Sequence, residues 1–203
     1  MDAETARTMI EAADQAGVVL TMAAKFRFAD DVTRARHIVE SGILGDLLLF
    51  ENAFTSRVDM SGRWNADPRI AGGGVLIDNG THSVDIARFF LGPIGEVMAV
   101  EGKRTQALEV EDTVRVFLRS VEDVIGSIDL SWSMDKSLVH YIAIFGTEGE
   151  IRVGWRSSSF RQVASTDWVS FGKGYDKVEA MGGAVRNFCH AIRGEEPLLI
   201  TAE

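Results

Sequence analysis

Thr113-Val114-Arg115-Val116-Phe117-Leu118-Arg119 and, just beyond the turn-forming Glu122-Asp123, Val124-Ile125-Gly126-Ser127-Ile128-Asp129-Leu130-Ser131-Trp132 are runs rich in β-branched and aromatic residues. Such runs favour extended backbone, and a connection this short forces them to pair antiparallel. The same texture extends outward. Residues 97–103 precede the pair, and residues 139–145 and 151–155 follow it, the last two split by Gly146-Thr147-Glu148-Gly149. Residues 47–57 alternate well enough to make one more strand. The chain therefore predicts a meander of about five or six strands.

Helices flank this core. In residues 2–16 the apolar positions Ala6, Met9, Ile10 and Ala13 keep helical spacing, and Gly17 stands where a left-handed cap belongs. Residues 18–22 read as a short buried strand. A helix is expected over 31–41, with Asp30 as N-cap and Gly42 as terminator. Residues 59–74 form a polar, Gly-rich loop. The stripe Ile77, Gly80, Val84, Ala87 and Leu91 then predicts a packed helix that Gly92-Pro93 ends, and a final helix covers 177–193. The fold class is α+β: a largely antiparallel open sheet with helices on one face. The other face is solvated, paired with a second copy, or covered as well.

Composition excludes several roles. The 203 residues are 46% hydrophobic with a net charge of −9, and a chain of this size buries roughly 70% of its unfolded surface without staples. The longest basic block is Lys103-Arg104, so no footprint for a phosphate backbone exists and nucleic acid is not an expected partner. No apolar run is long enough to span a bilayer, and the lone Cys189 cannot form an intrachain disulfide. A cytoplasmic location without membrane contact is the expectation.

Chemistry concentrates in Gly72-Gly73-Gly74-Val75-Leu76-Ile77-Asp78-Asn79-Gly80-Thr81-His82-Ser83-Val84-Asp85. Four residues apart on a helix, Asp78 and His82 differ in direction by roughly 40°, and Asp85 returns to within roughly 20° of Asp78. The imidazole thus stands between two carboxylates, which favours imidazolium, fixes its orientation and suits it to proton exchange near neutral pH. The triple glycine lets backbone approach a ligand closely. The bland alternative is that these groups cap, pair or face water. As metal ligands Asp78, His82 and Asp85 are chemically competent but lack a further donor, since His37, His140 and His190 have no spacing that recruits them, and no metal is expected.

Arg63, Trp64, Asp67 and Arg69 offer forked hydrogen bonds and a stacking ring to a polar ligand, or are simply a solvated loop. Lys25 and Arg27 follow the expected first strand, where clefts open in α/β folds, or are two exposed cations. Gly172-Lys173-Gly174 lacks the spacing of a P-loop, no Gly-x-Ser-x-Gly elbow occurs, and Cys189 beside Phe188 suits packing better than nucleophilic attack.

In order, Gly-Val-Val-Leu, Lys-Phe-Arg-Phe, Ser-Gly-Ile-Leu-Gly-Asp, Arg-Trp-Asn-x-Asp-Pro, Gly-Gly-Gly-Val-Leu-Ile-Asp-x-Gly-x-His-x-x-Asp, Leu-Gly-Pro and Gly-Thr-Glu-Gly resemble the glucose-fructose oxidoreductase, inositol dehydrogenase and rhizopine-catabolism (Gfo/Idh/MocA) family over nearly the whole chain. The resemblance implies an N-terminal Rossmann domain binding NAD or NADP, and a C-terminal α+β domain that presents substrate and an open sheet used for oligomerisation. It implies that residues 1–28 are the last helix and strand of the Rossmann part and 29–203 the substrate and oligomerisation domain. His82 and Asp78 match the catalytic His and Asp, Arg27 matches an Arg near cofactor or substrate, and Arg63, Trp64 and Asp85 are expected to bind a small polyhydroxylated substrate. Lys25 is a weak stand-in at the cofactor.

The sequence departs from the family where Glu-Lys-Pro and a Gly-x-Gly-x-x-Gly turn are expected, so the resemblance implies a portion of a sugar, cyclitol or polyol oxidoreductase that is inactive alone and does not bind NAD or NADP tightly. The alternatives are a non-enzymatic ligand-binding or assembly module and, behind it, a metal-dependent hydrolase or isomerase.

Overall fold

A computed structural model describes residues 3–202 of the chain. Contacts divide the described residues into two compact units, residues 3–29 with 176–202, and residues 30–175. The division differs from a single boundary near residue 28, because the final helix groups with the N-terminal residues.

In the first unit, helix α1 (Ala3–Ala16) ends at Gly17, whose φ of 63° is the left-handed value expected of a terminating glycine. The buried strand expected over 18–22 does not form. Val18 and Met22 are 59% and 62% exposed, and no ladder partner reaches them among the described residues, so β propensity has nothing to pair with. A 3-10 turn (Lys25–Phe28) follows, and helix α5 (Lys177–Ile192) packs on it, Gly183 lying against Phe28. The Asp176 carboxylate caps α5 by accepting from the N–H groups of Val178 and Glu179.

The second unit holds an eight-stranded sheet in the order β2-β3-β4-β1-β5-β6-β7-β8. The strands are β1 (Leu47–Thr55), β2 (Ile94–Glu101), β3 (Thr113–Ser120), β4 (Ile125–Ser131), β5 (His140–Gly146), β6 (Gly149–Gly154), β7 (Ser158–Gln162) and β8 (Val169–Gly172). The hairpin that decided the fold pairs as expected, from Thr113 opposite Ser131 to Arg119 opposite Ile125. Strands β7 and β8 exceed the expected number. They are short, with Ser, Arg and Gln on an edge, and carry little hydrophobic signal.

One pairing is parallel. β1 lies beside β4, with Phe50 opposite Gly126 and Phe54 opposite Leu130, because residues 56–124 form a long crossover rather than a tight turn. Helix α2 runs over Asp30–Glu40, so the expected N-cap Asp30 is its first residue and forms an ion pair with Arg34 at 2.9 Å. Its neighbour Asp31 is buried and accepts from the N–H groups of Lys173 and Gly174 and from the Ser158 hydroxyl.

Helix α4 (Val75–Leu91) crosses the sheet over β1, β3 and β4. Beneath it lie Phe50, Val114, Val116, Ile128 and Leu130, all buried, and side chains directly opposite across strands share that face. The buried side of α4 is Gly80, Ser83, Ile86, Ala87 and Phe90, whereas Ile77 and Val84 of the expected stripe are 47% and 41% exposed. The packed face therefore keeps Gly80, Ala87 and Leu91 of the expected stripe and takes Ser83, Ile86 and Phe90 in place of Ile77 and Val84. Met98, Phe117 and Ile125 occupy the opposite face of the sheet and are exposed, so within this unit that face is open.

Candidate active site

The loop before α4 is more ordered than its polar composition suggests. It contains a 3-10 turn (Trp64–Ala66) and the short helix α3 (Pro68–Ala71). Asp67 caps α3 by accepting from Arg69 N–H, and its carboxylate also takes the Arg69 guanidinium at 2.7 Å. Those hydrogen bonds, from the side chain first and then the backbone, hold the Asp67 carboxyl below its ordinary range. Asp67 and Arg69, two of the possible ligand contacts in the sequence, thus satisfy one another within the loop.

The three glycines serve backbone geometry. Gly72 takes φ 78° to end α3, and a Cβ on Gly74 would collide with the Glu111 carbonyl oxygen. The close approach foreseen for a ligand is made by the chain itself: Glu111 O accepts from Val75 N–H at 2.9 Å. Helix α4 begins there and carries Asp78, His82 and Asp85, all half-buried. Gly80, two positions from both Asp78 and His82, points roughly 160° away from each. An ideal Cβ on it would sit 3.0 Å from Leu130 Cδ1, so a glycine there lets the helix lie close to the sheet while the acid and the imidazole face outward.

Asn65 closes the arrangement, its Nδ2 donating to Asp78 Oδ2 at 3.3 Å. Sequence reasoning quoted Asn65 inside Arg-Trp-Asn without giving it a role; only its place between an aromatic and a capping Asp hinted at one. Trp64 beside it is 67% exposed and Arg63 is exposed, a ring and a guanidinium available to a ligand. Asp78, His82, Asp85 and the Arg63–Asn65 loop therefore belong to one unit, with Asn65 bonded to Asp78. Lys25 and Arg27 sit on the 3-10 turn of the other unit, where the Lys25 ammonium lies 5.4 Å above the Phe26 ring. Among the described residues no three His, Cys, Asp or Glu side chains converge as a metal-ligand set.

This arrangement joins a carboxylate fixed by an amide to an imidazole one turn along the same helix, beside an exposed indole. It can accept and return a proton and hold hydroxyl groups.

The model of the GFO/IDH/MocA C-terminal domain matches residues 32–152. D-apiose dehydrogenase of Rhizobium rhizogenes is 25% identical over 154 residues, covering 73% of this chain and 44% of that protein. Levoglucosan dehydrogenase of Pseudarthrobacter phenanthrenivorans is 26% identical over 197 residues, covering 79% of this chain and 48% of that protein. The chain thus spans about half the length of the curated relatives it matches or less. Solved structures share the fold: levoglucosan dehydrogenase in complex with NADH and levoglucosan superposes with TM-score 0.86 at 20% identity, covering 98% of this chain and 63% of that one. An inositol dehydrogenase homologue complexed with NAD+ from Azotobacter vinelandii gives 0.81 at 20% identity, covering 97% and 60%. With the α+β sheet, the Asp78/His82 helix and a family model covering more than half of its residues, the chain belongs to the GFO/IDH/MocA family.

Proposed function

We propose that the chain is the substrate-side portion of an NAD(P)-dependent oxidoreductase that acts on a hydroxyl or carbonyl of a sugar, cyclitol or related polyol. The observation that carries this reading is the outward face of α4, with His82 one turn from Asp78 and Asp78 held by Asn65. His82 takes the proton from the substrate hydroxyl in the oxidative direction and returns it in the reductive one. Asp78 fixes the imidazole or a neighbouring hydroxyl, and Asp85, on the same face, accepts from another hydroxyl. Trp64 stacks on the apolar face of the ring and Arg63 donates to its oxygens.

A nicotinamide, when bound, supplies hydride acceptance. We infer that this chain's share is proton handling and substrate positioning and that alone it is inactive, a reading supported by its matching about half the length of its curated relatives or less. Lys25 is at most a peripheral cofactor contact. The exposed Met98, Phe117 and Ile125 line a shallow groove of about 440 Å³ on the open sheet face, and we assign that face to a contact between copies of the chain in a reducing cytoplasm.

The test is the product of the complete reading frame, assayed for NAD+ or NADP+ reduction with D-apiose, levoglucosan and D-xylose. His82→Ala and Asp78→Asn should each lower kcat by about 10²–10⁴-fold. Unchanged turnover in His82→Ala, or polyol binding by a protein without turnover, favours the binding-module alternative. Titration of the 203-residue chain with NADH tests its inactivity, and micromolar affinity would overturn that part.

A further inference from the structure

Two adjacent carboxylates outside the proposed reacting set, Glu111 and Asp112, lead into β3 and reach both halves of the site. Gly74, the N-cap of α4, has no side chain to cap with. Glu111 takes over: its two carboxylate oxygens each lie 3.0 Å from Gly74 N, one of them also 3.1 Å from Leu76 N, and its carbonyl accepts from Val75 N–H. One residue thus satisfies three successive donors at the start of the helix, and its charge suits the positive end of the helix dipole.

Asp112 works on the other half. Fully buried, it accepts from Thr105 N–H at 2.8 Å and Gln106 N–H at 3.0 Å. Gln106, so held, accepts from Met60 N–H at 3.0 Å and donates to Val58 O at 3.0 Å. Met60 O in turn accepts from Arg63 N–H at 3.1 Å, and the next residues are Trp64 and Asn65.

We propose that the Glu111-Asp112 dipeptide is a positioning element of the site: Glu111 sets the start of the helix that carries Asp78 and His82, Asp112 sets the loop that carries Trp64 and Asn65, and together they bring Asn65 to Asp78. The functional meaning rests on the reading of Asp78 and His82 as the reacting pair; the positioning itself does not.

The experiment is NMR of the isotopically labelled chain, with thermal unfolding as a control, and with the Asn65 side-chain amide resonances in Asp78→Ala as the uncoupled reference. Glu111→Ala should speed hydrogen exchange of the Gly74 and Leu76 amides roughly tenfold. It should also move the Asn65 side-chain resonances toward the reference. Glu111→Gln, which keeps shape and one acceptor, should give a partial version of both effects and serves if the alanine variant does not fold. Asp112→Asn should leave Gly74 and Leu76 protection intact yet move Asn65 as well. Asn65 resonances that stay at the native position in folded Glu111→Gln and Asp112→Asn, while only local amides change, would reduce both residues to ordinary caps and overturn the inference. None of these signals depends on turnover, so absence of turnover in the product of the complete reading frame counts against the proposed function and leaves this result standing.

Discussion

Asn65 Nδ2 donates to Asp78 Oδ2 across 3.3 Å, tying the 3-10 turn of the loop to the first turn of α4. Both side chains are half-buried, so the bond is worth about 0.5–1.5 kcal/mol net. Asn65→Ala should lower the stability of the chain by that amount in urea unfolding, and Asn65→Asp by more, because it sets two carboxylates together.

Gly74→Ala should destabilise by about 2–4 kcal/mol. The added methyl meets the Glu111 carbonyl, which is backbone and already bonded to Val75 N–H, so neither side can yield cheaply. Chemical denaturation measures the loss, and Gly62→Ala, at a position where a Cβ meets nothing within 4 Å but φ is 74°, provides the comparison for backbone strain alone.

Ile128→Ala tests the core beneath α4. Ile128 is fully buried on the face the helix covers, and its truncation should cost about 2–5 kcal/mol at the unfolding midpoint.

Acid stability should have two contributions. Burial raises the Asp112 carboxyl, but hydrogen bonds from Gln106, Thr105, Ser133 and Thr113 outweigh it and hold the group below its ordinary 3.8. Its stabilisation is therefore complete above about pH 4. It is lost as pH falls through the depressed folded value, so Asp112→Asn should flatten the acid limb of a stability–pH curve.

His140 acts at milder pH. Desolvation first, then the charge of Arg152, lowers its pKa from 6.5, so the folded state prefers it neutral. The unfolded state binds the proton more readily, and stability should fall as pH drops from the ordinary histidine range through the lowered folded value. His140→Gln should remove that slope, as read by thermal unfolding between pH 7 and 5.

Much of the fold was legible because its signals are local. The β3–β4 hairpin announced itself by two β-rich runs around Glu122-Asp123, and Gly17 and Gly92 marked helix ends where φ is positive. The β1–β4 pairing was not legible, since nothing local tells Leu47–Thr55 that its parallel partner lies beyond a long crossover. Residues 18–22 misled because a run of Val and Leu declares apolar character but not the presence of a neighbouring ladder. Within the site, helical spacing placed Asp78 and His82 on one face, whereas the bond from Asn65 and the cap from Glu111 depend on tertiary approach.

The parallel alliance of β1 with β4 has a kinetic corollary. The middle of the sheet cannot zip until residues 56–124, including the whole of α4, have been threaded into place, so the central seam and the helix bearing Asp78 and His82 mature in a single late event. A nascent chain that has made only its hairpins owns neither a finished sheet nor the complete surface of β1, β3 and β4 on which α4 packs.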